Sequence, residues 1–267
     1  MKDIRIGVAV IRSRIGDTAG NLKRTAVFAK AAAEQDASLV CFPELNITGY
    51  SSGQGIEKYA ETIPGHSSSF VQDIARKNHI TILAGMAESD SMGRIYATHL
   101  VVQPDGTFGV YRKLHLGPPE KQVFTPGDHT PLFDIKGFKF GIQLCYDAHF
   151  PELSTRMALD GADAVFMPHA SPGPDSGLKM DSWMRHLPAR AYDNGMFVIA
   201  CNPCGENGKG LNFPGIALVL DPLGKAIKSY AGDTEHMIIV DLKAETLASV
   251  RNHKMRYFLP NRRPELY

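Results

Sequence analysis

Three reactive side chains stand just past apolar runs that read as β-strands. Cys145 closes Phe138-Lys139-Phe140-Gly141-Ile142-Gln143-Leu144 and leads into Tyr146-Asp147-Ala148-His149-Phe150-Pro151-Glu152, so a thiol stands where a strand gives way to a helix. Glu44 follows the run at residues 37–42, and Lys113 follows the run at 107–112. In open α/β sheets, sites form beyond the carboxyl ends of strands, so a thiol, an acid and a cation far apart in sequence can converge there. Together they suit nucleophilic hydrolysis. An amide or nitrile carbon is a poor electrophile, and a thiolate attacks it better than water does. A free thiol, with a pKa of about 8.5, is only slightly ionised at neutral pH and needs a cation or a base beside it. Lys113 is expected to favour the thiolate and then, with the backbone N–H of Tyr146, to form the oxyanion hole. Glu44 is expected to take the thiol proton, pass it to departing ammonia and activate the water that opens the thioester. Burial beside Phe42 and Pro43 should raise its pKa for that work. Each residue alone has a plainer reading, as a small buried hydrophobe, a cap or a solvated cation, so the weight rests on their coincidence.

The elements that must carry them follow from the apolar pattern. Residues 19–35 place Leu22, Ala26, Val27, Ala29, Ala31 and Ala32 at helical spacing, and 37–42 is the strand that follows. A helix is expected over 67–78 and a strand over 80–85. Strands over 97–102 and 107–111 should form a hairpin about Gln103-Pro104-Asp105-Gly106. The second half repeats this grammar: a helix over 152–159, a strand over 163–168, a helix over 183–194 and a strand over 196–201. A hairpin over 216–220 and 226–230 then turns about Asp221-Pro222-Leu223-Gly224. Two similar halves of mixed sheet, each covered by helices, imply an α/β fold in four layers, an αββα sandwich with internal pseudo-symmetry.

At 267 residues and 43% hydrophobic content the chain can bury a full core. With 29 basic and 28 acidic residues, it carries no general field to attract nucleic acid or an anionic membrane, and a small uncharged substrate suits that balance. The first residues alternate like a strand rather than a signal peptide, and no run approaches membrane-spanning length. Four cysteines are too few for a disulfide scaffold, and a free nucleophilic thiol is easiest to keep in a reducing compartment, so a cytoplasmic protein is expected.

Three blocks together resemble the signatures of the carbon–nitrogen hydrolase (nitrilase) superfamily. They are Phe42-Pro43-Glu44-Leu45 with Thr48-Gly49-Tyr50, Tyr111-Arg112-Lys113-Leu114-His115-Leu116, and Gly141-Ile142-Gln143-Leu144-Cys145-Tyr146-Asp147 with Phe150-Pro151-Glu152. The resemblance runs from the first strand to about residue 242. It implies the αββα sandwich, a Glu-Lys-Cys triad carried onto Glu44, Lys113 and Cys145, no cofactor or metal, and a homo-oligomer. It also implies a second glutamate at Glu120, orienting Lys113 and the substrate. Residues 1–250 are then the hydrolase domain, and 251–267 a C-terminal tail docking at an oligomer interface.

True nitrilases typically have Cys-Trp-Glu at the nucleophile. Cys145-Tyr146-Asp147 looks more like amidases and N-carbamoyl amide hydrolases, so an amidase acting on a small aliphatic carboxamide is expected, with an N-carbamoyl (ureido) substrate as the alternative. A nitrilase, an acyltransferase and a non-catalytic interaction module are the remaining readings. Pocket residues are expected at Tyr50, His149, His169, Ala170 and Trp183. Carbamoyl amino-acid hydrolases commonly hold the substrate carboxylate with arginine from the loop after the second-half strand. Residues 169–182 contain Lys179 but no arginine, and Asp175 and Asp181 stand nearby, so a neutral or cationic amide is expected. Arg190 is expected to pair with neighbouring acids. Cys201-Asn202-Pro203-Cys204 is one Cys-x-x-Cys without a second pair, which argues against structural zinc. The cations and aromatics at 251–263 suit an interface between subunits better than a nucleic-acid patch.

Overall fold

A computed structural model describes residues 1–53 and 55–266; Gln54 and Tyr267, the last residue of the expected tail, lie outside the described residues. The first strand, β1 (Ile4–Val10), shows how the layers arise. Successive side chains of a strand point to opposite faces. Ile6, Val8 and Val10 join one buried cluster with Phe140, Phe166 and Ile199 from the second half of the chain. Ala9 and the following Ile11 join another, with Leu22, Ala29 and Val71. One face of the sheet therefore meets a second sheet, and the other meets helices.

The first half continues through α1 (Thr18–Ala33), β2 (Leu39–Cys41), α2 (His66–Asn78), β3 (Thr81–Ser89), β4 (Ile95–Val102) and β5 (Phe108–Arg112). After it come β6 (Phe133–Ile135), β7 (Phe138–Ile142), α3 (Pro151–Leu159), β8 (Ala164–Pro168), α4 (Ser176–Met184), α5 (Leu187–Asn194) and β9 (Phe197–Asn202). The chain ends through β10 (Gly205–Glu206), β11 (Asn212–Phe213), β12 (Gly215–Leu220), β13 (Ala226–Gly232), β14 (His236–Leu242) and α6 (Ala244–Arg251). Two 6-stranded sheets result, in the orders β14-β1-β2-β3-β4-β5 and β13-β12-β9-β8-β7-β6. Within each, three parallel strands are followed by two antiparallel ones: β1, β2 and β3 then β4 and β5, matched by β7, β8 and β9 then β12 and β13. β14 and β6 add an antiparallel edge to β1 and β7. This is the four-layer sandwich of two mixed sheets with the repeat expected from the sequence.

The helix expected over 183–194 is instead two helices, α4 and α5. Asp175 starts α4 by accepting from the Leu178 N–H at 2.8 Å. Pro188 has no N–H to give an interior turn, so it begins a new helix after His186, whose torsions are not helical. β14 was not anticipated, because Met237-Ile238-Ile239-Val240 lacks the alternation that marks a half-buried strand. The start of the expected tail lies on its own body. Arg251 donates to Gly195 O at 3.1 Å and pairs with Asp163, Phe258 packs on Tyr192, and Leu259 is buried. Among the described residues no helix is long and apolar enough to cross a membrane.

Candidate active site

Glu44 leaves β2 through Phe42 and Pro43 into a turn fastened to its neighbours. The turn crosses β3 at Gly85, where a side chain would begin 2.4 Å from the Leu45 nitrogen, so only glycine fits beneath it. Asn46 Oδ1 accepts from the Gly85 N–H at 2.7 Å, and the Ile47 N–H donates to Gly85 O at 2.9 Å. The Glu44 N–H donates to His169 O at 3.2 Å, tying the end of β2 to the end of β8 in the other sheet. These are the two Phe-Pro-like strand ends of the repeat. Glu44 is 1% exposed, and its Oε2 accepts from the Ala170 N–H at 3.1 Å.

Lys113 follows β5 and is buried. Its Nζ donates to Glu44 Oε1 and to Glu120 Oε1, each at 2.8 Å. An ammonium has three N–H donors, so one remains for another partner. Glu120, buried in a single 3₁₀ turn, is itself fixed: its Oε1 also accepts from Tyr50 Oη at 3.0 Å, and its Oε2 from the Gly117 N–H at 2.7 Å.

Cys145 opens a 3₁₀ turn (Cys145–His149) that precedes α3, with φ at +44°, in the left-handed region. A non-glycine residue there costs about 1–3 kcal/mol of strain and stays only where its surroundings hold it. Asp147 does much of that holding, and the sequence reading gave it no such role. Fully buried, its Oδ2 accepts from Tyr111 Oη at 2.7 Å and the Leu144 N–H at 3.0 Å. Its Oδ1 accepts from the His115 N–H at 2.7 Å and meets His115 Nδ1 at 2.9 Å. Tyr111 and His115 flank Lys113, so one carboxylate clamps the lysine's loop to the cysteine's turn. Arg190 adds to this from α5: it donates to the carbonyls of Ala148 and His149 at 2.9 and 3.3 Å, rather than pairing with acids as expected. Guanidinium groups satisfy exposed carbonyls at the end of a turn as readily as carboxylates.

The electrostatics follow from this packing. Burial pushes Glu44 up to about 7; Lys113 opposes the rise, and the negative charges of Glu120 and Asp147 add to it. Burial works against the charge on Lys113, but Glu44, Cys145 and Glu120 outweigh it and keep the amine protonated. The thiol of Cys145 is pushed up to about 12, by burial first and by Glu44 next, against the pull of Lys113. The pull of Lys113 towards the thiolate, expected from the sequence, is outweighed at the resting sulfur by burial and Glu44. Two carboxylates already share the one ammonium, so a third anion at sulfur has no net positive charge to meet. Cys145 rests as a thiol beside a carboxylate poised near neutrality.

Of the expected pocket residues, Tyr50, His169 and Ala170 join the cluster directly. His169 donates from Nδ1 to Met167 O at 2.7 Å, which leaves Nε2 an acceptor, and its ring lies 4.2 Å from that of buried Trp183. Trp183 therefore backs the loop that carries the Ala170 N–H. His149 stands apart, its ring against Tyr146 and His186. Asp175 is spent as the α4 cap and is exposed, as is Asp181. Lys179 instead donates to Ser171 Oγ at 2.8 Å and acts electrostatically on the Cys145 sulfur. A cavity of about 470 Å³ adjoins the cluster, lined by Leu114, Lys121 and Tyr146, which directly follow Lys113, Glu120 and Cys145. The four reactive side chains do not line it, so it flanks the site rather than containing it. Among the described residues no group of three or more His, Cys, Asp or Glu is arranged to hold a metal ion.

The model of a family described as Carbon-nitrogen hydrolase matches residues 5–252. An (R)-stereoselective amidase of Pseudomonas sp is 32% identical over 248 residues, covering 93% of this chain and 88% of the relative. A nitrilase of Pyrococcus abyssi is 31% identical over 269 residues, covering 99% of each. An amidase from Nesterenkonia sp. AN1, solved as a mutant in complex with butyramide, matches with a TM-score of 0.84 at 29% identity, covering 98% of this chain and 95% of that one. In another structure of that amidase, acrylamide has added to the active-site cysteine.

Proposed function

The chain belongs to the carbon–nitrogen hydrolase family, and from that premise we propose that it hydrolyses a small aliphatic carboxamide through a thioester on Cys145, releasing ammonia and a carboxylic acid. The observation that carries this reading is Lys113 Nζ held at 2.8 Å by both Glu44 and Glu120, with an N–H to spare and in electrostatic reach of Cys145. In the first step the sulfur attacks the amide carbon as Glu44 takes the S–H proton. Transfer accompanies attack, because burial and Glu44 hold the thiol well above its ordinary pKa. The carbonyl oxygen becomes an oxyanion, met by the third N–H of Lys113 and by the N–H of Tyr146, which has no partner within its turn. Collapse breaks the C–N bond as protonated Glu44 delivers its proton to the leaving nitrogen. Water then gives a proton to Glu44 and attacks the thioester, the C–S bond breaks, and the sulfur recovers its proton. A carboxyl group titrating near 7 suits both directions of transfer. Glu120, Tyr50 and Asp147 act by holding Lys113 and the nucleophile's turn.

An amide in preference to a nitrile is supported by Cys145-Tyr146-Asp147 and by butyramide in the Nesterenkonia amidase. The test is ammonia release from butyramide by the wild-type chain and by Cys145→Ala, with mass spectrometry of the acid-quenched reaction. Ammonia from the wild type alone and a butyryl adduct on Cys145 are expected. Wild-type turnover by Cys145→Ala, or ammonia from butyronitrile but not from butyramide, would overturn the reading.

A further inference from the structure

We infer that the backbone N–H of Ala170 is a catalytic donor shared between base and nucleophile, following negative charge from Glu44 Oε2 to the Cys145 sulfur and back, and that Asn202 is the positioning residue that aims it. This role rests on the amidase reading above and names the carboxylate oxygen that moves the proton.

Ala170 is buried just past β8, and both of its neighbours are held by the last two residues of β9. Before it, the His169 N–H donates to Cys201 O at 2.7 Å, and His169 O accepts from the Glu44 N–H at 3.2 Å. After it, fully buried Asn202 grips the backbone of Ser171 twice: its Oδ1 accepts from the Ser171 N–H at 2.8 Å, and its Nδ2 donates to Ser171 O at 3.0 Å. A second bond from Nδ2, to Pro214 O at 2.8 Å, anchors Asn202 to the residue before β12. With the backbone fixed on each side, the Ala170 N–H is aimed at Glu44 Oε2, 3.1 Å away. The same N–H lies within hydrogen-bonding reach of the Cys145 sulfur, where it opposes burial and the Glu44 charge in setting the thiol's pKa.

The two oxygens of Glu44 stand in different states. Oε1 is bound to Lys113 Nζ at 2.8 Å, and an oxygen engaged by an ammonium is the poorer proton acceptor. Oε2 is bound by a neutral N–H that the sulfur also uses, so Oε2 is the oxygen beside the thiol. As the S–C bond forms, the S–H bond breaks and an O–H bond forms at Oε2, while no covalent bond of Ala170 changes. Its N–H serves the carboxylate before the transfer and the sulfur during it. Lys113 has no donor left for the sulfur, because two of its N–H groups go to Glu44 and Glu120 and the third meets the oxyanion. The same N–H is in place when the thioester is opened: the C–S bond breaks, its electron pair goes to sulfur, and the proton on Oε2 follows. A donor already oriented by Asn202 has no reorganisation to undergo as the charge moves.

The test removes that one hydrogen. Replacing Ala170 with lactic acid by nonsense suppression turns the peptide after His169 into an ester, which keeps the methyl group and deletes the N–H. Modification of Cys145 by methyl methanethiosulfonate at pH 8, followed by mass spectrometry, needs no substrate and reports the sulfur directly. A thiol that loses a donor to its ionised form rises by about one pKa unit, which cuts the thiolate about tenfold and makes each thiolate roughly threefold more nucleophilic. Modification should therefore slow about threefold, whereas a merely loosened site would expose the thiol and speed it. The acid limb of kcat/KM for butyramide should move up by about one unit, because ionised Glu44 loses the same donor. Asn202→Ala, which frees the Ser171 backbone, should shift both readings in the same directions by a part of these amounts; where it fails to fold, the ester variant decides. Unchanged or faster modification of the ester variant, or an acid limb that stays in place or moves down, would overturn the inference while leaving the amidase reading intact. If wild type releases no ammonia from butyramide, the amidase reading fails, and the modification rate alone still decides whether the N–H serves the sulfur.

Discussion

The position of Glu44 makes the pH dependence of kcat/KM a sharp test, because that parameter reports groups of the free enzyme. With the carboxyl near 7, about a tenth of it is ionised one unit below and about nine tenths one unit above, so kcat/KM for butyramide should rise roughly tenfold from pH 6 to pH 8. The perturbation is Glu120→Gln, which removes one of the charges that hold Glu44 high. The two carboxylate oxygens each lie 2.8 Å from the same Nζ, so they can be no farther apart than twice that distance. Two unit charges about 5 Å apart at an effective dielectric of about 20 repel by about 3 kcal/mol, an upper figure that the intervening ammonium reduces. A drop of about one to two units in the acid limb follows. The sign is fixed: removing a neighbouring anion stabilises ionised Glu44, so the variant keeps a larger fraction of its own plateau rate at pH 6 than the wild type does. Its plateau should be lower, since Lys113 loses an anchor. The assay is continuous ammonia detection from pH 5 to 9, with thermal unfolding followed at each pH. A flat wild-type profile, a limb near the ordinary glutamate range, or a limb that moves upward in Glu120→Gln would refute the reasoning.

Two further outcomes follow from groups outside the reacting set. Asp147→Asn keeps the shape but replaces one acceptor oxygen with a donor facing the Leu144 N–H and Tyr111 Oη; about 2–4 kcal/mol of stability should be lost, read as a lower urea midpoint with unchanged slope. Gly85→Ala should lower both turnover and thermal midpoint, because its methyl would meet the turn that carries Glu44 at 2.4 Å, whereas Gly93→Ala, with open space around it, should lose only the few tenths to one kcal/mol of an unfavourable backbone angle.

Glu44, Lys113 and Cys145 were legible because each stands just beyond a strand whose apolar residues announce it, and because beyond-strand positions of both halves meet at one end of the sandwich. What the spacing could not convey was charge accounting. That Lys113 is shared by two acids, and so leaves the thiol protonated, depends on side-chain directions that meet across 69 and 7 residues of chain. Asp147 was visible as a letter after the nucleophile, but its partners Tyr111 and His115 are 36 and 32 residues away. Lys179 was visible as the lysine of a segment, residues 169–182, that holds no arginine. Its orientation comes from Ser171, which Asn202 fixes from 31 residues off. The break between α4 and α5 falls at Arg185 and His186, residues that an unbroken helix also carries, so Pro188 and the Asp175 cap marked it only in retrospect.

The pairing of β14 with β1, from Ile4 against Leu242 to Val10 against His236, has a consequence for how the chain is made. β1 is made long before β14, so its peptide groups on that side have no native partner until His236–Leu242 has been synthesised. A nascent product halted before His236 would present an open, apolar β-edge, the kind of template on which stalled chains stack against one another. Intact synthesis closes that edge within the molecule. Its completion should therefore coincide with a late, non-local zippering step, rather than with independent maturation of the amino-terminal half.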